Sequence, residues 1–139
     1  MRAMFKTVLF PVDQSREARE AADVVANIVQ KYGSRLVLLS VVEEPEVEES
    51  PRPDAMNSPQ AVAELLKTAQ TLFAELGIQA EIIEQTGKVA FTICDVADEM
   101  DADLIVMGCR GLGLTEEGVS ESVTNRVINL APCPVLVVP

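Results

Sequence analysis

An aspartate follows the first apolar run of the chain, where that run gives way to a helical pattern. The junction reads Phe10, Pro11, Val12 and Asp13. Ligands of open parallel sheets bind beyond the carboxyl ends of the strands, so a carboxylate there can hydrogen-bond a ribose hydroxyl or a base. Asp13 or Ser15 can instead simply cap the helix that follows. The local sequence leaves both roles open.

A glycine-rich segment leads from a later apolar run towards the last helical pattern. It contains Met107, Gly108, Cys109, Arg110, Gly111, Leu112 and Gly113, and near the helix start follow Glu121, Ser122, Val123 and Thr124. Glycines let backbone amides approach an anion, and a helix start adds free N–H groups and a favourable dipole. The segment therefore suits a phosphate cradle, but the same glycines also suit a plain strand-to-helix turn.

Two common phosphate motifs are incomplete in this segment. Glu116 stands at the last glycine position of G-x-G-x-x-G, which excludes the dinucleotide fingerprint. Gly113 and Gly118 have the spacing of a P-loop, but Val119 occupies the place of the essential lysine. Any nucleotide site must be of another type.

The sequence assigns no catalytic and no metal-binding residue. It has no histidine, which removes the usual general base and the usual metal ligand. Its three cysteines are odd in number and lack C-x-x-C spacing, so they indicate neither a disulfide framework nor a zinc site. Cys94 and Cys133 are predicted to be structural. Cys109 beside Arg110 is either a redox-sensitive thiol or a small buried residue.

Five short runs rich in Val, Ile and Leu must position these residues. They span 7–12, 36–42, 80–83, 104–107 and 135–138, and they predict strands buried on both faces of a parallel sheet. Helical spacing of apolar residues predicts helices over 17–31, 60–76, 89–100 and 119–130. Alternating strands and helices predict an α/β fold with helices on both faces of the sheet.

Glycine and proline mark the boundaries of these elements. Gly33 and Gly77 fall just past two helical patterns, where a left-handed cap residue is favoured. Residues 43–59 are acidic and hold Pro45, Pro51, Pro53 and Pro59, so we expect a mobile loop there. Such a loop can be a lid or partner contact, or simply a solvated excursion.

Length and charge limit the classes of function. The 139 residues suit one domain spanning 1–139, with 48% hydrophobic and 24% charged residues. A net charge of −11 argues against nucleic acid or an anionic membrane as partner, although it also serves solubility. Without a signal peptide pattern or a run near the ~20 apolar residues of a membrane span, we expect a cytoplasmic protein.

Three blocks of the sequence, spread over nearly its whole length, resemble the universal stress protein family. They are VLFPVD at 8–13, ADLIVMGCRGLG at 102–113 and APCPVLVV at 131–138. The resemblance implies a Rossmann-like sheet of five parallel strands in the order 3-2-1-4-5. It also implies a nucleotide cleft at the ends of strands one and four with the start of the last helix, and a homodimer through the final strand, 135–138.

The resemblance also implies which residues bind an adenine nucleotide. By position, the adenosine end is lined by Pro11, Val12, Asp13 and Val41, with Met107 and Gly108 closing over it. The residues facing the phosphates are Arg110, Gly111, Ser122, Val123 and Thr124. Family members that hold ATP carry Gly-x2-Gly-x9-Gly and then Ser or Thr. Gly108, Gly111 and Ser122 match, but Glu121 stands where the third glycine belongs.

The sequence leaves three functions open. The first is a stress-response regulatory protein that binds AMP or ADP in preference to ATP, because Glu121 repels and obstructs further phosphates, with Mg²⁺ accompanying any polyphosphate. The second is a dimeric interaction protein that binds no nucleotide and acts on a protein effector. The third is an ATPase or phosphotransferase, which would need a metal held by Asp13 with other carboxylates. Its hydrolysis should be slow, because the sequence lacks the groups that usually accelerate phosphoryl transfer.

Overall fold

The computed structural model describes residues 5–12, 16–43, 59–108 and 119–138, with backbone alone for 16–19, 43 and 119–122. Three of the predicted site residues, Asp13, Arg110 and Gly111, lie outside the described residues, as does Cys109. Most of the predicted loop, 44–58, lies outside them too.

Strands and helices alternate along the chain, as the apolar patterns predict. The strands are β1 (Thr7–Pro11), β2 (Arg35–Glu43), β3 (Ala80–Gly87), β4 (Leu104–Gly108) and β5 (Val135–Val138). The helices are α1 (Arg16–Tyr32), α2 (Pro59–Glu75), α3 (Val89–Glu99) and α4 (Val119–Leu130). The strands form one parallel sheet in the order β3-β2-β1-β4-β5, which confirms the predicted fold class and strand order.

The sheet separates two apolar layers because successive side chains of a strand point to opposite faces. Val8, Phe10 and Val12 join α1 and α2 in one cluster, where the rings of Phe10 and Phe73 meet edge to face at 6.2 Å. Leu9 and Ile105 join α3 and α4 in the other cluster. We call these the α1/α2 face and the α3/α4 face. No described helix is both long and apolar enough to cross a membrane.

The outer strands differ from the prediction that every strand is buried on both faces. Strand β3 lies at one edge and continues to Gly87, four residues beyond the predicted end at residue 83. Glu84, Gln85 and Thr86 are exposed, so the apolar pattern stops although the pairing with β2 continues. Strand β5 lies at the other edge and is only partly buried in the single chain.

The ends of the predicted loop are also corrected. Glu43 is the last residue of β2, and Pro59 is the first residue of α2. Proline suits the first helical position because its fixed φ is already helical and its missing N–H would have no partner there. The predicted caps are confirmed, since Gly33 and Gly77 have φ of +63° and +82°.

Candidate functional site

At the centre of the sheet, β1 and β4 are no longer paired at their carboxyl ends. The ladder between them pairs Val8 with Leu104 and Leu9 with Ile105. The ladder between β1 and β2 continues further, to Pro11 paired with Leu39. The chain order reverses at β1, because β2 lies on one side of it and β4 on the other. This is the place where open α/β sheets form a ligand crevice.

Val12 is held to β2 at the rim of this crevice by both of its backbone polar groups. Its N–H donates to the Leu39 carbonyl at 2.8 Å. Its own carbonyl accepts a hydrogen bond from the Ser40 hydroxyl, with 3.1 Å between Oγ and O. The residue before Asp13 is therefore fixed to the neighbouring strand.

The α3/α4 face brings together predicted site residues from three separate elements. Val41 of β2 and Met107 of β4 belong to its apolar cluster, and Val123 of α4 packs against the same cluster. Pro11, half-buried at the end of β1, alternates with Phe10 and therefore points towards this face. Val12 belongs to the cluster of the opposite, α1/α2 face.

The start of α4 lies beside this group. The backbone of Glu121 and Ser122 forms part of the first turn of α4. Of the residues that follow, Val123 is half-buried and Thr124 is buried, at 7% exposure. Free N–H groups at a helix start favour an anion, so the backbone here is suited to a phosphate.

Gly108 ends β4 and is the last of the glycine-rich residues that the structure describes before residue 119. It is half-buried and pairs with Val138 of β5. The structure therefore places Pro11, Val12, Val41, Met107, Gly108, Val123 and Thr124 around the carboxyl edge of the sheet or the first half of α4.

The described part of the site offers apolar side chains and backbone groups. Such surroundings suit the flat ring of a base, for which aliphatic side chains supply contact area. In the parts of the chain that the structure describes, no three Asp, Glu, Cys or His side chains are grouped to hold a metal ion.

Cys94 belongs to the α3/α4 cluster, and Cys133 packs against it. Burial and the charge of Asp95 raise the pKa of the Cys94 thiol, whose Sγ lies 3.9 Å from the Val127 carbonyl oxygen. Burial, followed by the charges of Asp103 and Cys94, raises the pKa of Cys133 to about 11. Both thiols are therefore protonated at neutral pH, in keeping with a structural role.

Ser40 lies next to the crevice, bonded to Val12, and no sequence motif contains it. A signal for it exists in the sequence, because it is the one polar residue in the otherwise apolar stretch from Leu36 to Val42. It is 1% exposed, and a buried hydroxyl needs a hydrogen-bond partner. What the sequence does not reveal is that the partner is the Val12 carbonyl.

Comparison with known proteins identifies relatives over nearly the whole chain. The model of the universal stress protein family matches residues 4–139. A curated universal stress protein of Synechocystis sp. is 62% identical over 136 residues, which cover 98% of this chain and 87% of that protein. A universal stress protein of Thermus aquaticus is 36% identical over 143 residues, covering 97% of this chain and 99% of that one.

Solved structures share the fold. The universal stress protein UspA from Lactobacillus plantarum superposes with a TM-score of 0.81 at 26% identity, covering 99% of this chain and 100% of that one. Two further neighbours were solved with nucleotides. The Archaeoglobus fulgidus protein in complex with dAMP has a TM-score of 0.72 at 22% identity, with 98% and 99% of the two chains covered. The Arabidopsis thaliana protein with AMP bound has a TM-score of 0.70 at 23% identity, with 96% and 90% covered.

Proposed function

Because the chain belongs to the universal stress protein family, we propose that it is a cytoplasmic regulatory protein of the stress response that binds an adenine nucleotide. The observation that carries the proposal is the parting of β1 and β4 beyond Leu9 and Ile105, with Val41, Met107 and Val123 gathered on one face beside it. The structural neighbours that hold AMP and dAMP support the choice of ligand class.

The proposed site has an adenosine end and a phosphate end. Pro11, Val12, Asp13 and Val41 line the adenosine end, and Met107 with Gly108 closes it. Arg110, Gly111, Ser122, Val123 and Thr124 face the phosphates. Asp13 is the principal polar contact to adenosine, because it follows the anchored Val12 and its carboxylate can accept hydrogen bonds from a ribose or base.

The proposed preference for AMP or ADP over ATP depends on Glu121. A helix start favours an anion by ~0.3–1 kcal/mol, whereas a carboxylate about 4 Å from a phosphate costs ~1 kcal/mol in water and ~4 kcal/mol at a protein surface. Repulsion is the larger of the two contributions. Mg²⁺ would reduce it by neutralising part of the phosphate charge.

The first test is calorimetric titration of AMP into the parent protein and the Asp13→Ala variant. We expect micromolar or tighter binding by the parent and no measurable binding by the variant, because truncation leaves the adenosine hydroxyl or amine without its partner. Asp98→Ala is the control, since it removes the same charge from an exposed position near the end of α3. Equal affinity of all three proteins would show that Asp13 does not contact the ligand.

The second test compares AMP, ADP and ATP, with and without Mg²⁺, on three proteins: the parent, Glu121→Gly and Glu121→Gln. We expect metal-free ATP to bind more weakly than AMP to the parent, and Glu121→Gly to restore ATP binding. Glu121→Gln keeps the size of the side chain and removes its charge. It therefore separates charge repulsion of the phosphates from steric hindrance of their approach. Metal-free ATP binding as tightly as AMP, with both variants neutral, would refute the preference.

A dimeric interaction protein without nucleotide binding is the second candidate, and Glu121 in place of the third glycine is the feature that favours it. Mass spectrometry of the natively purified protein separates the two. A co-purifying adenine nucleotide supports the first function. An empty protein that also fails the titrations supports the second.

A further inference from the structure

A single hydroxyl lies inside the buried part of β2. Ser40 is 1% exposed, and its neighbours Leu39 and Val41 are 0% and 4% exposed. Burying a hydroxyl is unfavourable unless it forms a hydrogen bond, and an aliphatic residue would fill the same place without that requirement. The hydrogen bond that the Ser40 hydroxyl makes is therefore the feature that can explain its burial.

The hydroxyl extends the contact between β1 and β2 by one residue. Backbone pairing of the two strands ends at Pro11 and Leu39. The last backbone bond of that pairing runs from the Val12 N–H to the Leu39 carbonyl, and beyond it the Ser40 hydroxyl donates to the Val12 carbonyl. On the other side of β1, the ladder with β4 has already ended at Leu9 and Ile105. The end of β1 is thus held from the β2 side.

The carbonyl that Ser40 holds belongs to the peptide unit joining Val12 to Asp13. A peptide unit is planar, so a hydrogen bond to its carbonyl restrains the whole unit. We propose that Ser40 is a positioning residue for the adenine-nucleotide site, acting through the Val12 carbonyl on the segment that carries Asp13. This inference rests on the proposed function, which it deepens by adding a residue that does not touch the ligand.

The chain contains a matched control at the other end of the same two strands. The Ser34 hydroxyl, just before β2, donates to the Phe5 carbonyl, just before β1, with 2.5 Å between Oγ and O. Both serines thus join the β1 segment to the β2 segment through one hydroxyl-to-carbonyl bond. Ser34 lies at the amino edge of the sheet, away from the crevice.

The experiment measures the Kd for AMP and the urea midpoint of unfolding for the parent, Ser40→Ala, Ser40→Cys and Ser34→Ala. Titrations are run at a temperature where circular dichroism shows every protein fully folded. We expect both alanine variants to unfold at lower urea. Ser40→Ala should raise the Kd about 3- to 10-fold, the usual effect of one lost hydrogen bond, while Ser34→Ala leaves it unchanged. Ser40→Cys, with a weaker donor, should fall between parent and Ser40→Ala.

A purely structural role would lower the urea midpoint without moving the Kd. The inference is overturned if Ser40→Ala binds AMP like the parent, or if Ser34→Ala weakens binding as much as Ser40→Ala does. If Ser40→Ala does not fold, the Kd of Ser40→Cys for AMP is compared with that of the parent. Equal values for these two proteins overturn the inference. Absence of AMP binding by the parent contradicts the proposed function and this inference together, whereas binding by the parent with unchanged variants contradicts this inference alone.

Discussion

Single polar residues secure the ends of the central strands. At the amino edge, the Asp103 carboxylate accepts a hydrogen bond from the Thr7 N–H at 2.9 Å, and the Asp103 N–H donates to the Thr7 carbonyl at 2.8 Å. At the carboxyl edge, Ser40 holds Val12. Backbone pairing joins the strands between these points, and the side-chain bonds of Asp103 and Ser40 extend that pairing at its two ends.

At the same scale, Cys133 predicts a pH dependence of stability. Its folded-state pKa is raised from the ordinary 9.0 to about 11, first by burial and then by the charges of Asp103 and Cys94. Because folding favours the protonated thiol, its contribution to stability is fully present below pH 9 and is lost as the pH rises through about 11.

Urea unfolding at several values between pH 8 and pH 11 tests this. We expect the free energy of unfolding to fall more steeply over the upper part of that range in the parent than in Cys133→Ser, which does not titrate there. Parallel profiles for the two proteins would mean that the thiol titrates alike in the folded and unfolded chains.

Among the elements, β3 shows how an edge strand is supported without a continuous apolar pattern. Arg35 of β2 forms a two-point ion pair with Glu81 of β3, at 2.6 and 2.8 Å. The hydrogen bond to Arg35 lowers the pKa of Glu81 and raises that of Arg35. Exposed pairs of this kind contribute at most ~1 kcal/mol. Backbone pairing with β2 along all eight residues of β3 is therefore the main support.

The end of β3 is predicted to require glycine. Gly87 has φ of +155°, and a Cβ there would lie 2.8 Å from Thr92 Oγ1 in the first turn of α3. We expect Gly87→Ala to destabilise the protein by ~2–3 kcal/mol, through backbone strain and displacement of Thr92.

Gly77→Ala provides the comparison, because its φ is +82° and a Cβ would meet nothing within 4 Å. It should cost only the backbone strain, ~1–2 kcal/mol. Adding Thr92→Ala to Gly87→Ala should recover part of the lost free energy of unfolding, because the methyl group at residue 87 and the Thr92 hydroxyl would occupy the same space. Purely additive effects in urea unfolding would show that the chain shifts to accommodate the methyl group.

For the whole molecule, we predict a homodimer through β5. This strand is at the sheet edge, and Leu136 on it is 37% exposed, with Ile128 and Leu130 of α4 also about half exposed in the single chain. Apolar side chains on an edge strand favour association with another copy. Sedimentation at micromolar concentration should give twice the 15.0 kDa of one chain.

Val137→Lys should weaken that dimer, because it brings two like charges into the contact. Thr86→Lys is the control, since Thr86 is exposed on β3 at the opposite edge of the sheet. A parent that sediments as a monomer would exclude the dimer. Equal dissociation of the two variants would show that the dimer contact is not at β5.

Much of the fold was predictable because it depends on local pattern. Short Val- and Ile-rich runs and helical spacing located the strands and helices that the structure describes. Gly33 and Gly77 marked two helix ends because glycine adopts the positive φ that such ends favour. The family resemblance supplied the strand order and is confirmed by the match over residues 4–139. The same resemblance supplied the candidate site residues, of which Val41, Met107 and Val123 lie on one face of the sheet.

Tertiary structure alone decided which members of each pattern are buried and which groups meet. Leu72 follows the apolar spacing of α2 but is 47% exposed, because the buried side of the helix runs through Val62, Leu66 and Phe73. Strand β3 continues through polar residues because a paired backbone, and not its side chains, extends it. Ser40 and Val12 are 28 residues apart in the chain, and only the parallel register of β1 and β2 brings hydroxyl and carbonyl together. Periodicity reports which face of an element is apolar, whereas contacts between elements depend on register, which no local pattern contains.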